Sequence, residues 1–113
     1  KENHVAACGG ITAAIERARA LAPEKKIIVE VETLVELKEA VRLKPDQIML
    51  DNFTIEMLNE TVTLKPDASL EVSGNLTLDS VTSLPATRNW FLSSGALTKH
   101  CTAIDLSLRL LNC

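Results

Sequence analysis

The chain of 113 residues has the length of one domain at most. Its 46% hydrophobic and 24% charged residues are typical of a folded protein, and this composition excludes a disordered or low-complexity chain. The formal net charge of −3 argues against a nucleic-acid partner, since such proteins usually carry a basic excess. No apolar run approaches the roughly 18 residues of a membrane-spanning helix, and Cys8, Cys101 and Cys113 lack the spacing of a zinc site or disulfide framework, which fits free buried thiols in the reducing cytoplasm.

Helical and β-strand patterns alternate along the chain. Apolar residues recur at three- and four-residue spacing over 11–21, 34–41 and 55–62, and this periodicity predicts amphipathic helices. A last helix is predicted over 101–111, with Ile104, Leu108 and Leu111 on one face. Short apolar runs rich in β-branched residues predict strands; they cover 27–31, 47–50, 68–72 and 90–93.

Helix boundaries carry recognisable signals. Thr33 and Glu36 have the spacing of a capping box, and Thr54 and Thr77 are expected N-caps of later helices. The tetrapeptide Leu43-Lys44-Pro45-Asp46 recurs 21 residues later as Leu64-Lys65-Pro66-Asp67, which indicates a repeated helix-to-strand turn.

Repeated strand–helix units predict an α/β fold with a parallel sheet. An open doubly wound sheet and part of a (β/α) barrel both satisfy this pattern. The nearly even spacing of the units, and the lack of a Gly-x-Gly-x-x-Gly motif after a strand, favour the barrel. A complete barrel needs about 250 residues, so we expect an incomplete barrel that requires upstream sequence. The start at Lys1, without an initiator methionine, is interpreted as an internal start in a longer polypeptide.

Two carboxylates follow neighbouring predicted strands. In a (β/α) barrel the reactive groups lie at the carboxyl ends of the strands, and this rule selects Glu30 and Asp51. Together they could hold Mg²⁺, which prefers carboxylate, water and phosphate oxygens. Two other interpretations stay open: Glu30 could pair with a basic residue inside the barrel, and Asp51 could form an Asx turn or cap a helix.

Two glycine-containing loops follow the later strands, at Ser73-Gly74-Asn75 and at Ser94-Gly95-Ala96. Small residues with backbone N–H groups at helix starts predict an anion cradle for phosphate; the alternative interpretation is that each glycine serves turn geometry alone. Lys1 is the expected cation for an anionic substrate, with His4 either lining the site or structural. Lys99 and His100, at the start of the predicted last helix, either meet an anion or face solvent.

Five short motifs occur in a specific order and spacing. They are Lys1-Glu2-Asn3-His4, Glu30-Val31-Glu32, Leu50-Asp51-Asn52-Phe53, Glu71-Val72-Ser73-Gly74-Asn75 and Gly95-Ala96-Leu97-Thr98-Lys99-His100. Taken together, these motifs resemble the C-terminal barrel part of the quinolinate phosphoribosyltransferase family, over essentially the whole chain.

The resemblance implies an Mg²⁺-dependent pentosyltransferase of NAD biosynthesis. Such an enzyme converts quinolinate and phosphoribosyl pyrophosphate to nicotinate mononucleotide, pyrophosphate and CO₂, and works as a dimer or an assembly of dimers with sites shared between subunits. By the resemblance, Lys1 would bind quinolinate, and Glu30 and Asp51 would be catalytic and hold the metal and ribose. The positions implied for phosphate binding are Ser73, Gly74, Asn75, Gly95, Ala96 and His100.

The resemblance also has gaps. The segment Thr87–Ser93 lacks the Gly and Asp that relatives carry there. The family's N-terminal domain and first barrel strands are expected upstream of Lys1, and they hold most of the quinolinate-binding arginines, so we expect residues 1–113 alone to be inactive. A paralogous enzyme for another nitrogen heterocycle, and a non-catalytic half-barrel that serves interaction or structure, remain alternatives.

Overall fold

The computed structural model describes residues 1–85, 87 and 90–111, and in these residues the chain forms six helices and four strands. The helices are α1 Glu2–Cys8, α2 Ile11–Leu21, α3 Leu34–Leu43, α4 Ile55–Leu64, α5 Leu78–Val81 and α6 Ala96–Lys99. The strands are β1 Ile28–Val31, β2 Gln47–Asp51, β3 Ser69–Ser73 and β4 Trp90–Leu92. The positions predicted for the strands and for α2, α3 and α4 are therefore confirmed.

The strands form one parallel sheet whose spatial order, β1-β2-β3-β4, follows the chain. The register aligns Val31 with Leu50, Leu50 with Val72, and Val72 with Leu92. A doubly wound sheet would reverse its strand order at a switch point; this sheet does not reverse. The α/β fold with barrel-type winding is therefore confirmed. None of the helices in the described ranges has both the length and the apolar character needed to cross a membrane.

The two faces of the sheet differ in chemistry because side chains alternate along each strand. One face is apolar and buried beneath α2, α3 and α4, where Leu37 and Leu58 belong to the same core as the strand residues. The strand residues on this face are Val29, Val31, Ile48, Leu50, Leu70 and Val72. The opposite face carries mostly polar side chains and is only partly covered. It is formed by Glu30, Gln47, Met49, Asp51, Ser69, Glu71, Ser73 and Phe91.

The predicted boundary signals form as expected. The Thr33 hydroxyl accepts from the backbone N–H of Glu36, and the Glu36 carboxylate accepts from the backbone N–H of Thr33. Thr54 and Thr77 cap α4 and α5 through their hydroxyl groups. In both copies of the repeated tetrapeptide, the lysine ends a helix in the left-handed conformation, and the following proline prevents the helix from continuing.

The predicted last helix is wrong. The segment 101–111 is not helical; its Ile104, Leu106, Leu108 and Leu110 are 81–94% exposed. Without a surface on which to bury an apolar stripe, such a helix lacks the packing that stabilises most protein helices. Helix α1, which was not predicted, begins at Glu2 with Lys1 as its N-cap.

The prediction of buried cysteines holds only in part. Cys8 is half-buried and Cys101 is exposed, and both are free thiols. Cys113 lies outside the described residues, as do Arg88 and Asn89 of the altered segment before β4.

Leu37 and Val35 offer a paired test of the core. Leu37 is completely buried, whereas Val35, on the same helix, is 75% exposed. Leu37→Ala should lower the free energy of unfolding by about 2–5 kcal/mol, because it removes buried methyl groups and leaves a cavity. Val35→Ala should change it by about 0.5 kcal/mol or less. Urea denaturation of both variants measures the difference, and equal effects would contradict this packing.

Candidate active-site cleft

A cleft of about 520 Å³ opens at the carboxyl end of the sheet. It lies where β2, β3 and β4 end and their following loops begin, so the parallel register itself assembles the lining. Asp51 and Ser73 are partners in the register. Ser93, the residue after β4, lies at the level of Ser73, since its N–H donates to the Val72 carbonyl. The lining residues are Asp51, Asn52, Ser73, Gly74, Asn75, Ser93, Ser94, Gly95 and Lys99.

Asp51 supplies negative charge on one side of this cleft. The side-chain amide of Asn52 donates to Asp51 Oδ2 at 3.0 Å. Asn52 has a positive φ of 53°, a conformation that asparagine tolerates better than most residues. The backbone N–H of Asn52 donates to the Ser73 carbonyl at 3.0 Å, so the turn after β2 is fastened to the end of β3. These contacts orient the Asp51 carboxylate.

Gly74 is required by the turn after β3. Its φ is +92°, and a Cβ at this position would lie 2.2 Å from Asn52 Oδ1 and 2.8 Å from the Asn52 backbone nitrogen. Both a positive φ and this contact exclude a larger residue. The turn-geometry interpretation of Gly74 is therefore sufficient by itself, and a substitution at Gly74 would disturb the fold as well as any ligand.

Gly95 differs from Gly74 because its backbone is unstrained, with φ −71° and ψ −13°. A Cβ at Gly95 would meet the side chain of Lys99, with Cε 3.3 Å and Nζ 3.5 Å away. The Lys99 side chain thus lies close to Gly95 and lines the same cleft as Asp51. The Ser94 hydroxyl donates to the Leu76 carbonyl at 2.5 Å and accepts from the Ala96 N–H at 3.3 Å, which ties the last loop to the one before it.

Helix dipoles contribute little to anion binding in this cleft. Helices α5 and α6 have only four residues each, and a macrodipole requires many aligned peptide units. The N-terminus of α5 is also capped internally, since Thr77 and Ser80 satisfy each other's backbone N–H groups. An anion in this cleft would depend on loop N–H groups and on Lys99.

Glu30 lies beside the cleft, on β1. Its pKa is raised above the ordinary value of 4.5, chiefly by burial and then by a hydrogen bond with Glu2 and by the negative charges of Glu2 and Asp51. The sequence left open an ion pair between Glu30 and a basic residue. Glu30 forms no salt bridge within the described residues, where the salt bridge found joins Lys38 to Glu60.

The structure separates the remaining predicted residues from Asp51. Lys1 and His4 line a different cavity of about 190 Å³, together with residues of α2 and β1. His100 and Ala96 line a small cavity beside the main cleft. Asn75, Gly95 and Lys99 line this small cavity as well. The cleft thus brings together Asp51, Ser73, Gly74, Asn75 and Gly95, but not Lys1, Glu30, Ala96 or His100.

Two lining residues, Asn52 and Ser93, were not selected from the sequence. Asn52 was part of a recognised motif, but only the structure shows that it lines the cleft. Ser93 comes directly after β4, as Ser73 ends β3. The rule that polar residues at the ends of barrel strands form the site could have found Ser93.

A metal ion at this corner would need ligands from outside the described residues. Among these residues, no group of three or more His, Cys, Asp or Glu side chains could hold a metal. Glu30 and Asp51 fit Mg²⁺ if substrate and water supply the other oxygens. The observation that favours a cation here is the mutual repulsion of these carboxylates, which contributes to the raised pKa of Glu30.

Comparison with known proteins agrees with this architecture. The family model described as quinolinate phosphoribosyl transferase, C-terminal domain, matches residues 1–109. The rat nicotinate-nucleotide pyrophosphorylase [carboxylating] is 40% identical over 115 residues, which cover 97% of this chain and 38% of that protein. The human protein of the same name is 36% identical over 115 residues, covering 97% of this chain and 39% of its own length.

A solved structure is similar in fold as well. The nicotinate-nucleotide pyrophosphorylase from Francisella tularensis superimposes with a TM-score of 0.83 at 43% identity, covering 94% of this chain and 38% of that one. The chain therefore spans about two-fifths of the length of the relatives it matches.

The charge relation between Glu2 and Glu30 can be tested by titration. Glu2→Gln removes one negative charge beside Glu30, so the pKa of Glu30 should fall towards 4.5. A raised folded-state pKa means that the unfolding free energy decreases as pH rises just above 4.5, and this decrease should become smaller in the variant. Carboxyl NMR measures the pKa, with Glu60→Gln as a remote control. An unchanged or higher Glu30 pKa in Glu2→Gln would contradict the assignment.

Proposed function

The chain belongs to the family of quinolinate phosphoribosyltransferase C-terminal domains, and from this membership we propose that residues 1–113 are the C-terminal barrel part of a longer decarboxylating pentosyltransferase. Its reaction converts quinolinate and phosphoribosyl pyrophosphate to nicotinate mononucleotide, pyrophosphate and CO₂, a step of NAD biosynthesis. The names of the relatives support this activity.

The observation that carries the proposal is the separation of unlike groups within one cleft. Asp51 ends β2, whereas Gly95 and Lys99 follow β4, which is two strands away in the sheet. A phosphoribosyl donor has matching parts, since its ribose hydroxyl groups donate hydrogen bonds to a carboxylate and its phosphate accepts them from N–H groups and an ammonium group.

The carboxylates have a defined task in such a reaction. When pyrophosphate leaves, positive charge develops on the ribose, and the fixed negative charges of Asp51 and Glu30 stabilise it. Formation of the bond between the ring nitrogen and ribose makes the pyridine cationic. The ring carbon that loses CO₂ keeps the electron pair, which the adjacent cationic nitrogen stabilises, and it then takes a proton from water, so decarboxylation requires little acid–base help from the protein.

Quinolinate binding requires more positive charge than this chain offers near the site. Lys1 remains our proposed contact to a quinolinate carboxylate, although it lines a cavity separate from the main cleft. Quinolinate carries two carboxylates, and we propose that further basic residues come from the rest of a longer chain and from the second subunit of a dimer. The free thiols of Cys8 and Cys101 support a reducing, cytoplasmic location.

The proposed phosphate contacts are Ser73, Gly74, Asn75, Gly95 and Ala96, with Lys99 as the cation that the structure favours over His100. The proposed metal is Mg²⁺, held by Glu30 and Asp51. When bound, it would neutralise charge on the pyrophosphate leaving group.

Replacement of Asp51 tests the reaction in the full-length protein. Asp51→Asn should lower kcat about 100-fold, because it removes a charge that acts mainly on the transition state, while the KM for quinolinate stays nearly constant. Glu60→Gln, an exposed carboxylate on α4, should leave both values unchanged. A higher quinolinate KM at constant kcat would contradict the role of Asp51. Turnover of a different nitrogen heterocycle in place of quinolinate, or none at all by the unmodified protein, would contradict the proposed activity.

Gly95 tests the phosphate side without straining the backbone. In Gly95→Ala the new methyl group should displace the Lys99 side chain, which lies 3.3 Å from the Cβ position. The KM for phosphoribosyl pyrophosphate should rise about tenfold, roughly the contribution of one charge-assisted hydrogen bond, and the affinity for quinolinate should not change. Separate titration of each substrate measures this. Equal weakening of both substrates, or of neither, would mean that Gly95 serves the turn alone.

A further inference from the structure

One acidic side chain on the polar face of the sheet has no role in the proposed reaction. Glu71 lies in the middle of β3, at the register level of Met49 and Phe91. Side chains two residues apart on a strand face the same side, so Glu71 lies one layer below Ser73 and beneath the cleft. It is half-buried, and none of the salt bridges recorded for the described residues includes it.

Both oxygens of the Glu71 carboxylate accept hydrogen bonds from neighbouring strands. The Ser93 hydroxyl donates to Oε1, and the side-chain amide of Gln47 donates to Oε2. The carboxylate thereby connects β2, β3 and the residue that follows β4. Ser93 also lines the cleft, so its hydroxyl connects the half-buried Glu71 carboxylate to the cleft.

This contact determines what Ser93 can offer a ligand. A serine hydroxyl has one proton and two acceptor lone pairs. Because the proton is directed to Glu71, the oxygen presents acceptor capacity to the cleft. Ser93 then resembles the Asp51 carboxylate in polarity, and it differs from Lys99 and the loop N–H groups, which donate.

We propose that Glu71 is a positioning residue that holds the Ser93 hydroxyl as an acceptor for a sugar hydroxyl group. The inference rests on the proposed function, because it specifies which part of a phosphoribosyl ligand meets Ser93. A carboxylate is suited to this task because it cannot donate when ionised, so Ser93 must direct its proton inward. A glutamine at the same position could reverse the direction of the bond.

Calorimetric titration of the full-length protein with two probes tests the proposal without requiring turnover. Ribose 5-phosphate contains both a sugar and a phosphate, whereas inorganic phosphate contains only the latter. Glu71→Gln should weaken ribose 5-phosphate about tenfold, close to the contribution of one hydrogen bond, and should change the affinity for inorganic phosphate less than about twofold.

Two further variants separate positioning from a purely structural role. If Glu71 acts through Ser93, then Ser93→Ala should show the same selective loss, and the double variant should bind no more weakly than Ser93→Ala alone. Gln47→Met removes the other donor to the same carboxylate and should leave both affinities unchanged. Ser93→Ala also provides the readout if Glu71→Gln does not fold.

Several results would overturn the proposal. They are equal weakening of both probes in Glu71→Gln, no weakening of either, additive losses in the double variant, or a loss in Gln47→Met as large as in Glu71→Gln. Failure of the unmodified protein to turn over quinolinate would instead contradict the proposed reaction, and the selective loss of ribose 5-phosphate would still be measurable.

Discussion

The parallel register of the sheet is the constraint on which the rest of the structure depends. All strand carboxyl ends lie at one edge, and alternation along each strand sends every second side chain to the same face. Apolar residues such as Ile48 and Leu50 occupy the buried face, so the residues between and after them, such as Asp51, must face the other way. The hydrophobic core and the candidate site are therefore two consequences of one sequence pattern. A shift of one residue in register would exchange the faces and remove both.

Charge within the cleft is arranged by turns rather than by helices. Asn52 and Gly74 adopt positive φ values, and their close contact forms the turn that orients Asp51. Lys99 lines the cleft from a helix of only four residues. The short helices after β3 and β4 leave loop backbone close to the cleft, which suits a ligand recognised by N–H groups. These positions depend on local backbone geometry, which makes the turns as important to the site as the charged groups.

The sequence predicted the strands and the longer helices well because these follow from local periodicity and capping. Thr33 with Glu36, and the two Leu-Lys-Pro-Asp tetrapeptides, mark boundaries through contacts within a few residues. The segment 101–111 was mispredicted because its apolar residues satisfy two patterns. Ile104, Leu108 and Leu111 fit a helical stripe, whereas Ile104, Leu106, Leu108 and Leu110 alternate as in a strand. Burial normally decides between such patterns, and these side chains are exposed.

Site residues could be predicted where the strand-end rule applied, as for Asp51, Ser73 and Gly74. The choice between Lys99 and His100 could not, because it depends on which side of α6 faces the cleft, and this single-turn helix was not predicted. The role of Glu71 was also inaccessible, since it depends on hydrogen bonds to Gln47 and Ser93 across strands.

The central claim is that the cleft combines the acceptors Asp51 and Ser93 with donors, Lys99 and the loop N–H groups, that match the two halves of a phosphoribosyl group. A crystal structure of the full-length protein with bound ribose 5-phosphate tests it most directly. The account predicts phosphate oxygens within about 3.2 Å of Lys99 Nζ and of backbone nitrogens in the loops around Gly74 and Gly95, with sugar hydroxyl groups hydrogen-bonded to Asp51 and Ser93. A phosphate that contacts neither Lys99 nor these loops, or a ligand at the opposite end of the strands, would contradict it.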